Sequence, residues 1–194
     1  SGELWEKAKI NGVIEFLDDA LKKGKIVNSG FSFHGLAEEF NRILDDYDWT
    51  FCQIQYNYLD TENQAGTAGL QYAASKDMAV IIMEPLRGGN LAGRAPREVQ
   101  AIWDEAPVER TPAEWALRWV WNHPEVSLAL SGMSEMSHVE ENLESAAKSG
   151  VGTLTEEELA LIDRVSEAYR SLRPVPCTAI PSMGICAAPA NSCS

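Results

Sequence analysis

Basic residues are the first scarcity in this chain. Sixteen Lys and Arg face 29 Asp and Glu, a formal charge of −13, and no block of positive charge occurs. A surface of that sign repels phosphate backbones and anionic headgroups, so neither nucleic-acid nor membrane partners are expected. No apolar run approaches the roughly 18 residues that a spanning helix needs. The opening stretch, SGELWEKAKI, lacks the apolar core of a secretion signal. Cysteine is sparse too: Cys52 stands alone, while Cys177, Cys186 and Cys193 crowd the final stretch. That is not the spread framework of a small secreted domain, and the cytoplasm is the expected compartment. His34, His123 and His138 are too scattered for a zinc pattern, so no metal is expected. Neither a GxGxxG fingerprint nor a P-loop occurs.

What the chain does have is apolar residues in regular patterns. Its 194 residues are 45% hydrophobic and include six Trp, enough for one sizeable core and too many for disorder. Within residues 3–23, Ile10, Val13, Ile14, Leu17, Ala20 and Leu21 fall at three- and four-residue spacing. This predicts one helix, ended by Gly24. KIVNSGFSF reads as a short buried strand, and Leu36 to Leu44 as a helix. FCQIQY predicts a second strand, followed by a helix near Thr67–Ser75. MAVIIME is a third strand with almost no polar residue, the pattern of a strand covered on both faces. From Pro85 to Pro107 the chain makes a longer excursion, with Arg87-Gly88-Gly89 and a short helix near 96–104.

Thr111-Pro112-Ala113-Glu114 supplies an N-cap, a proline at the first helical position and an acid at N3. The helix they open runs through ALRWVWN and stops before Pro124. VSLALSG is a fourth strand, and Ser134 is the expected cap of a helix through HVEENLESAAK. Thr155 to Glu158 form a capping box that opens an amphipathic helix to about Tyr169. Beyond Arg173 the chain is rich in Pro, Ala, Ser and Cys and predicts no regular structure. Four strand–helix repeats argue an α/β fold with parallel strands joined by right-handed crossovers. Pattern alone does not separate an open sheet from a barrel. It slightly favours a small open sheet, because eight strands with their helices typically take about 250 residues.

GKIVNSGFSFHG, QIQYNYLD, IIMEPLRGGNL, TPAEWALRWVWNHPEVSLALSGMS and HVEENL follow one another in that order. Together they resemble consecutive segments of an aldo-keto reductase, of the bacterial and archaeal type with MEPLRGG after the seventh strand. The resemblance covers residues 3–175. It implies the C-terminal half of a (β/α)8 TIM barrel, strands five to eight with their helices, plus a C-terminal helix. The expected division is a partial barrel over 1–175, the cofactor-binding half, and an irregular Cys-containing tail over 176–194. The implied activity is oxidoreduction: a hydride passes from NADPH or NADH to an aldehyde or ketone. The family's acid–base tyrosine and its Lys, Asp and His partners follow strands two to four, whereas this chain starts in the helix after strand four. Tyr56 and Tyr58 follow the sixth strand, and Tyr47, Tyr72 and Tyr169 sit on helices or their ends. No catalytic residue is therefore expected here, and a truncated chain inactive by itself is the expectation.

For the cofactor, the resemblance assigns Ser32 and Gln53 to the nicotinamide carboxamide; by themselves they read as a capping serine and a buried glutamine. Met83 stands where many members carry a ring stacked on the nicotinamide, and it also reads as a core methionine. Pro85, Leu86 and Arg87 begin the loop expected to cross the pyrophosphate; Arg87 pairs with it or is simply solvated. Gly132, Met133 and Ser134 lead into a helix N-terminus, which favours an anion, and the family places the adenosine ribose phosphate there. Glu141 and Asn142 then meet the adenine, although the same residues fit a solvated acidic helix face. Between Trp119 and Ala147 there is no Lys or Arg, and His138 stands where NADP-preferring members place a base, so both NADP and NAD stay open.

The tail begins RPVPCT, as in relatives that carry a ferredoxin-like cysteine run, but the C-x2-C-x2-C-x3-C spacing of an iron–sulfur cluster is missing. Half a barrel leaves parallel edges unpaired. The expected partners are thus the missing N-terminal half or a second copy of the chain, besides a small carbonyl substrate. The alternative reading is a non-catalytic nicotinamide-binding or protein-interaction module derived from an aldo-keto reductase. A small open-sheet domain unrelated to the family is the third.

Overall fold

The structure, a computed structural model, describes residues 2–172. The expectations for the tail and for Cys177, Cys186 and Cys193 lie outside the described residues. The N-terminal helical pattern resolves into α1 (Gly2–Ile10) and α2 (Val13–Lys22) rather than one helix. Gly12 between them takes φ 79°, a left-handed turn that glycine adopts without the Cβ penalty. Then come β1 (Gly30–Ser32), α3 (Ala37–Asp45), β2 (Phe51–Gln55), α4 (Gly66–Ser75) and β3 (Ala79–Met83). They are followed by α5 (Arg97–Trp103), α6 (Pro112–Trp121), β4 (Val126–Ala129), α7 (Met136–Ala147) and α8 (Glu156–Ser171). The four strands and the helices from α3 onward appear where their patterns placed them, with β1 shorter than its apolar run.

The sheet is parallel throughout, and its strands lie side by side in chain order, β1-β2-β3-β4. Crossovers of one hand between sequential neighbours carry every connecting helix to the same side. Burial records the consequence. In β2 and β3, Cys52, Ile54, Val80 and Ile82 are fully buried, while their alternating neighbours Phe51, Gln53, Ala79, Ile81 and Met83 are only half-buried. On β4, Leu128 is exposed. This corrects the expectation of two covered faces for the third strand: the run is apolar throughout, but its burial alternates, and only one face is fully covered.

The covered face holds the core. Phe33 and Phe40 meet edge to face with centroids 5.1 Å apart, and Phe31, Tyr47 and Trp5 surround Trp49. Gly30 has no room for a side chain, since a Cβ there would lie 2.5 Å from the Phe51 ring and carbonyl. At the other end of the chain, Trp103 and Trp115 stack at 5.2 Å, and the Arg110 guanidinium sits 4.2 Å above Trp115. Arg110 also pairs with Glu158 at 2.6 Å, both side chains being buried. Thr155 accepts from Glu158 N while Glu158 accepts from Thr155 N, completing the capping box of α8. At α6 the cap also forms as its sequence foretells, with Thr111 accepting from Glu114 N. Among the described residues no helix is long and apolar enough to cross a membrane.

Burial works to raise the Glu158 carboxyl, yet the Thr155 backbone and Arg110 together outweigh it and hold the group below the usual glutamate range. A depressed carboxylate contributes stability that is complete above its unfolded pKa, about 4.3, and is lost as pH falls through the lower folded value. Urea unfolding of Glu158→Gln should therefore show a loss of about 2 kcal/mol at pH 6. The deficit should shrink as pH drops below about 4; an equal deficit at both pH values would place the contribution of Glu158 outside its charge.

Candidate functional site

At the C-terminal ends of β3 and β4 two loops face each other across a cleft of about 310 Å³. That is the lower end of the range for small-molecule sites. One wall is the turn after β3, through Glu84, Pro85, Leu86, Gly88, Gly89 and Ala92. The other is the segment after β4, Leu130, Ser131 and Gly132, together with His138, Glu141 and Asn142 of α7. Ala113 of α6 lies at its floor, buried.

The first wall is built from unusual backbone. Glu84, Arg87, Gly88 and Gly89 all have positive φ, between 50° and 88°. For Glu84 and Arg87 this is a costly conformation that the surroundings must enforce. Two buried side chains from the loop after β2 do so. Asn57 donates to the Glu84 carbonyl at 3.1 Å, and its own Oδ1 accepts from Leu59 N and Asp60 N. Asp60 accepts from Arg87 Nε at 2.8 Å and from Gln55 and Asn57 at 3.2 Å. Arg87, half-buried, thus turns to Asp60 and not to the cleft; it is the tether that holds the turn against the loop after β2. Gly89 and Gly132 have open space where a Cβ would stand.

The second wall departs from its expected capping. Glu135, in extended conformation, occupies the N-cap of α7 and makes no side-chain capping bond. Ser134 stands one residue too early for its short hydroxyl to serve the first turn, which corrects the reading of it as the cap. Asn142 Nδ2 donates to Ser131 Oγ at 3.1 Å, fastening the strand exit to the helix. Thr111 Oγ1 donates to Glu141, so the residue that caps α6 also holds this carboxylate.

Of the twelve residues assigned to a cofactor, the structure brings six together in the cleft: Pro85, Leu86, Gly132, His138, Glu141 and Asn142. Met133 and Ser134 are exposed beside it. Ser32, Gln53 and Met83 lie on the uncovered face of the sheet, Ser32 and Gln53 in register. Gln53 Nε2 approaches Met83 Sδ at 3.4 Å. Sequence reasoning did not single out Asn57, Asp60 or Glu84, and read Thr111 only as a helix cap, not as a partner of Glu141. The N-Y-L-D spacing, an Asx turn in which the side chain accepts two backbone N–H groups, was the available signal.

No tyrosine lines the cleft. Tyr56 donates or accepts at Thr67 Oγ1, 2.9 Å away, and packs on Trp119 and His123; burial raises its pKa. Tyr58 is pushed up further by burial, with its hydroxyl lacking a partner among the described residues. The Tyr47 and Tyr72 hydroxyls donate to Asp18 and Asp45. Cys52, under the sheet, has its thiol raised by burial to about 12 and stays inert at neutral pH. Among the described residues no group of His, Cys, Asp and Glu is placed to hold a metal.

The model of the Aldo/keto reductase family matches residues 5–167. The chain belongs to the aldo/keto reductase family. The likeness is therefore not a chance one, and the unrelated open-sheet reading is overturned. An uncharacterized oxidoreductase of Schizosaccharomyces pombe is 25% identical over 146 residues, 74% of this chain and 47% of the yeast protein. Among solved structures, the holo form of an aldo-keto reductase from Bacillus halodurans superposes with a TM-score of 0.66 at 20% identity, covering 80% of this chain and 56% of that one. An aldo-keto reductase from Klebsiella pneumoniae, in complex with NADPH, gives 0.62 at 22% identity, covering 79% and 52%. The sheet and its helices thus share the aldo-keto reductase fold. The chain spans about half the length of these relatives.

If Asp60 and Arg87 hold the turn as a pair, their energies are coupled. A urea double-mutant cycle with Asp60→Ala and Arg87→Ala should give a coupling of about 1 kcal/mol or more. Additive effects would mean that Arg87 does not depend on Asp60.

Proposed function

We propose that this chain is the cofactor-binding half of an NAD(P)H-dependent aldo-keto reductase, which reduces an aldehyde or ketone by hydride transfer. The observation that carries the reading is the cleft between the turns after β3 and β4, built by the same motifs that the family match covers. Parallel α/β sheets bind ligands outside the carboxyl ends of their strands, and barrels use that end throughout.

A dinucleotide fits the residues present. The cleft is of nucleoside size, Gly89 and Gly132 leave backbone open to it, and Asn142 and Glu141 offer polar atoms beside them. In this reading Ser32 and Gln53, paired on neighbouring strands, hold the nicotinamide carboxamide, with Met83 as the apolar surface beside it; their register and the Gln53–Met83 contact support it. A reduced nicotinamide supplies the hydride when bound. The chain's own share is positioning: the Asp60–Arg87 and Asn57–Glu84 contacts fix the wall over which the nucleotide lies.

In this reading the described sheet is half of a barrel. The uncovered face, with Ile81, Met83 and Leu128, and the edges at β1 and β4 are then closed by the complementary half or, in its absence, by a second copy of the chain. The general acid that protonates the carbonyl oxygen belongs to that complementary half, so the isolated chain is inactive.

One sample tests both parts. Titration of the chain with NADH and NADPH, followed by Trp fluorescence, should show saturable quenching by at least one of them. Addition of an aldehyde should cause no nucleotide oxidation. Turnover at enzyme-like rates would overturn the division of labour. Absence of any response to either nucleotide would overturn the binding role and favour an interaction module.

A further inference from the structure

The large apolar residues that stay exposed are gathered at the two ends of the sheet. Leu4, Ile10, Phe16, Val27 and Leu36 lie on or beside α1, α2 and β1. Leu128, Leu130, Met133, Met136, Leu143 and Val151 lie on or beside β4 and α7. Within α3, β2, α4, β3, α5 and α6 there is none. Single exposed apolar residues are ordinary on a surface, but their concentration at two free ends marks places of contact.

The two ends match level by level. Because the strands are all parallel, segments that leave strands emerge at one rim and segments that leave their helices at the other. At the first rim, Leu36 follows β1 and Met133 follows β4. At the second, Val27 precedes β1 and Val151 follows α7. Between the rims, α2 exposes Phe16, and α7 exposes Met136 and Leu143 along one side. Ser145, the buried residue of α7, points the other way, and α7 packs against α6. Charge is complementary too. The exit of α2 carries Lys22 and Lys25, exposed and without an ion pair among the described residues. On α7, Thr111 holds Glu141 and Lys148 pairs with Glu144, which leaves Glu140 unpaired beside Met136 and Leu143. Asp18 and Asp19 of α2 are already held by Tyr47 and Lys23.

We propose that the isolated chain closes head to tail on a second copy, with β4 of each copy alongside β1 of the other. The inference rests on the half-barrel reading above and names the partner. In this joint α2 of one copy packs against α7 of the other, Phe16 meeting Leu143. Two four-stranded sheets joined at both ends supply the eight strands of a closed barrel, and no parallel edge stays free. Contacts between unlike ends form a ring when the rotation closes, and the strand number closes this one at two copies. Pairing of like ends would make antiparallel junctions instead. The uncovered faces, Gln53 and Met83 included, then line one shared interior.

Sedimentation velocity of the parent chain, Phe16→Lys and Leu143→Glu, each alone and the two variants mixed, tests the joint. Phe16 and Leu143 are 69% and 65% exposed, so neither substitution disturbs the core of the single chain, and far-ultraviolet circular dichroism checks this. The parent should form a dimer and nothing larger. Each variant alone should dimerise at least about tenfold more weakly, since each apolar contact is lost at both junctions. Mixing the variants should restore the dimer, because one junction is then unaltered and the other sets Lys against Glu. If either variant misfolds, Val27→Lys with Met136→Glu repeats the pairing at other levels. Growth beyond a dimer, a dimer indifferent to one of the substitutions, or no rescue on mixing would overturn the head-to-tail joint and leave the half-barrel reading standing. A parent that stays monomeric at every concentration would overturn both.

Discussion

A parallel sheet whose strands follow one another in chain order can be covered by its own helices on one side only. That constraint shapes the rest of this molecule. The helices and connecting segments bury Cys52, Ile54, Val80 and Ile82 from one direction, and the aromatic clusters around Trp49 and Trp119 fill the same layer. The opposite face keeps Phe51, Ile81, Met83 and Leu128 at partial or full exposure although they alternate as regularly. An apolar face of this kind in a family of closed barrels carries the proposal that the chain is a half that something must complete.

The functional end of the molecule depends on the same sheet through a smaller device. Because β2 and β3 pair in register from Phe51 and Ala79 to Gln55 and Met83, the loops that leave them emerge side by side. Asn57 and Asp60 on one loop can then hold Glu84 and Arg87 on the other in backbone conformations that these residues avoid in isolation. The buried pair stabilises a shape rather than a charge. Arg87 is thereby turned to Asp60 and does not line the cleft.

Most of the fold was legible in the sequence because its signals are local. Thr111-Pro112 and the Thr155–Glu158 box announce helices through contacts within one turn, and both caps form. The β2 and β3 runs are apolar enough to have no other place. Errors arose where the outcome depends on one backbone angle or on distant packing. Gly12 divides the first helical pattern through a single left-handed residue, and Glu135 displaces Ser134 from the α7 cap by one position. The half-covered state of β3 was not legible, since its run AVIIM is apolar at every position and so carries no mark of which face lacks helices. In the site, the loop and α7 residues were identified through family motifs. The residues that hold them, Asn57, Asp60 and Thr111, act across separations of 27 to 30 positions, which a reading of adjacent motifs does not connect.

The uncovered sheet face is the feature on which the half-barrel account stands, and sedimentation velocity of the isolated chain over a wide concentration range tests it most directly. The account predicts a concentration-dependent shift from the mass of one 194-residue chain to a dimer or larger species, as apolar faces and parallel edges find cover in a second copy. A monodisperse monomer at every concentration would contradict it, and would mean that the chain closes its sheet by itself.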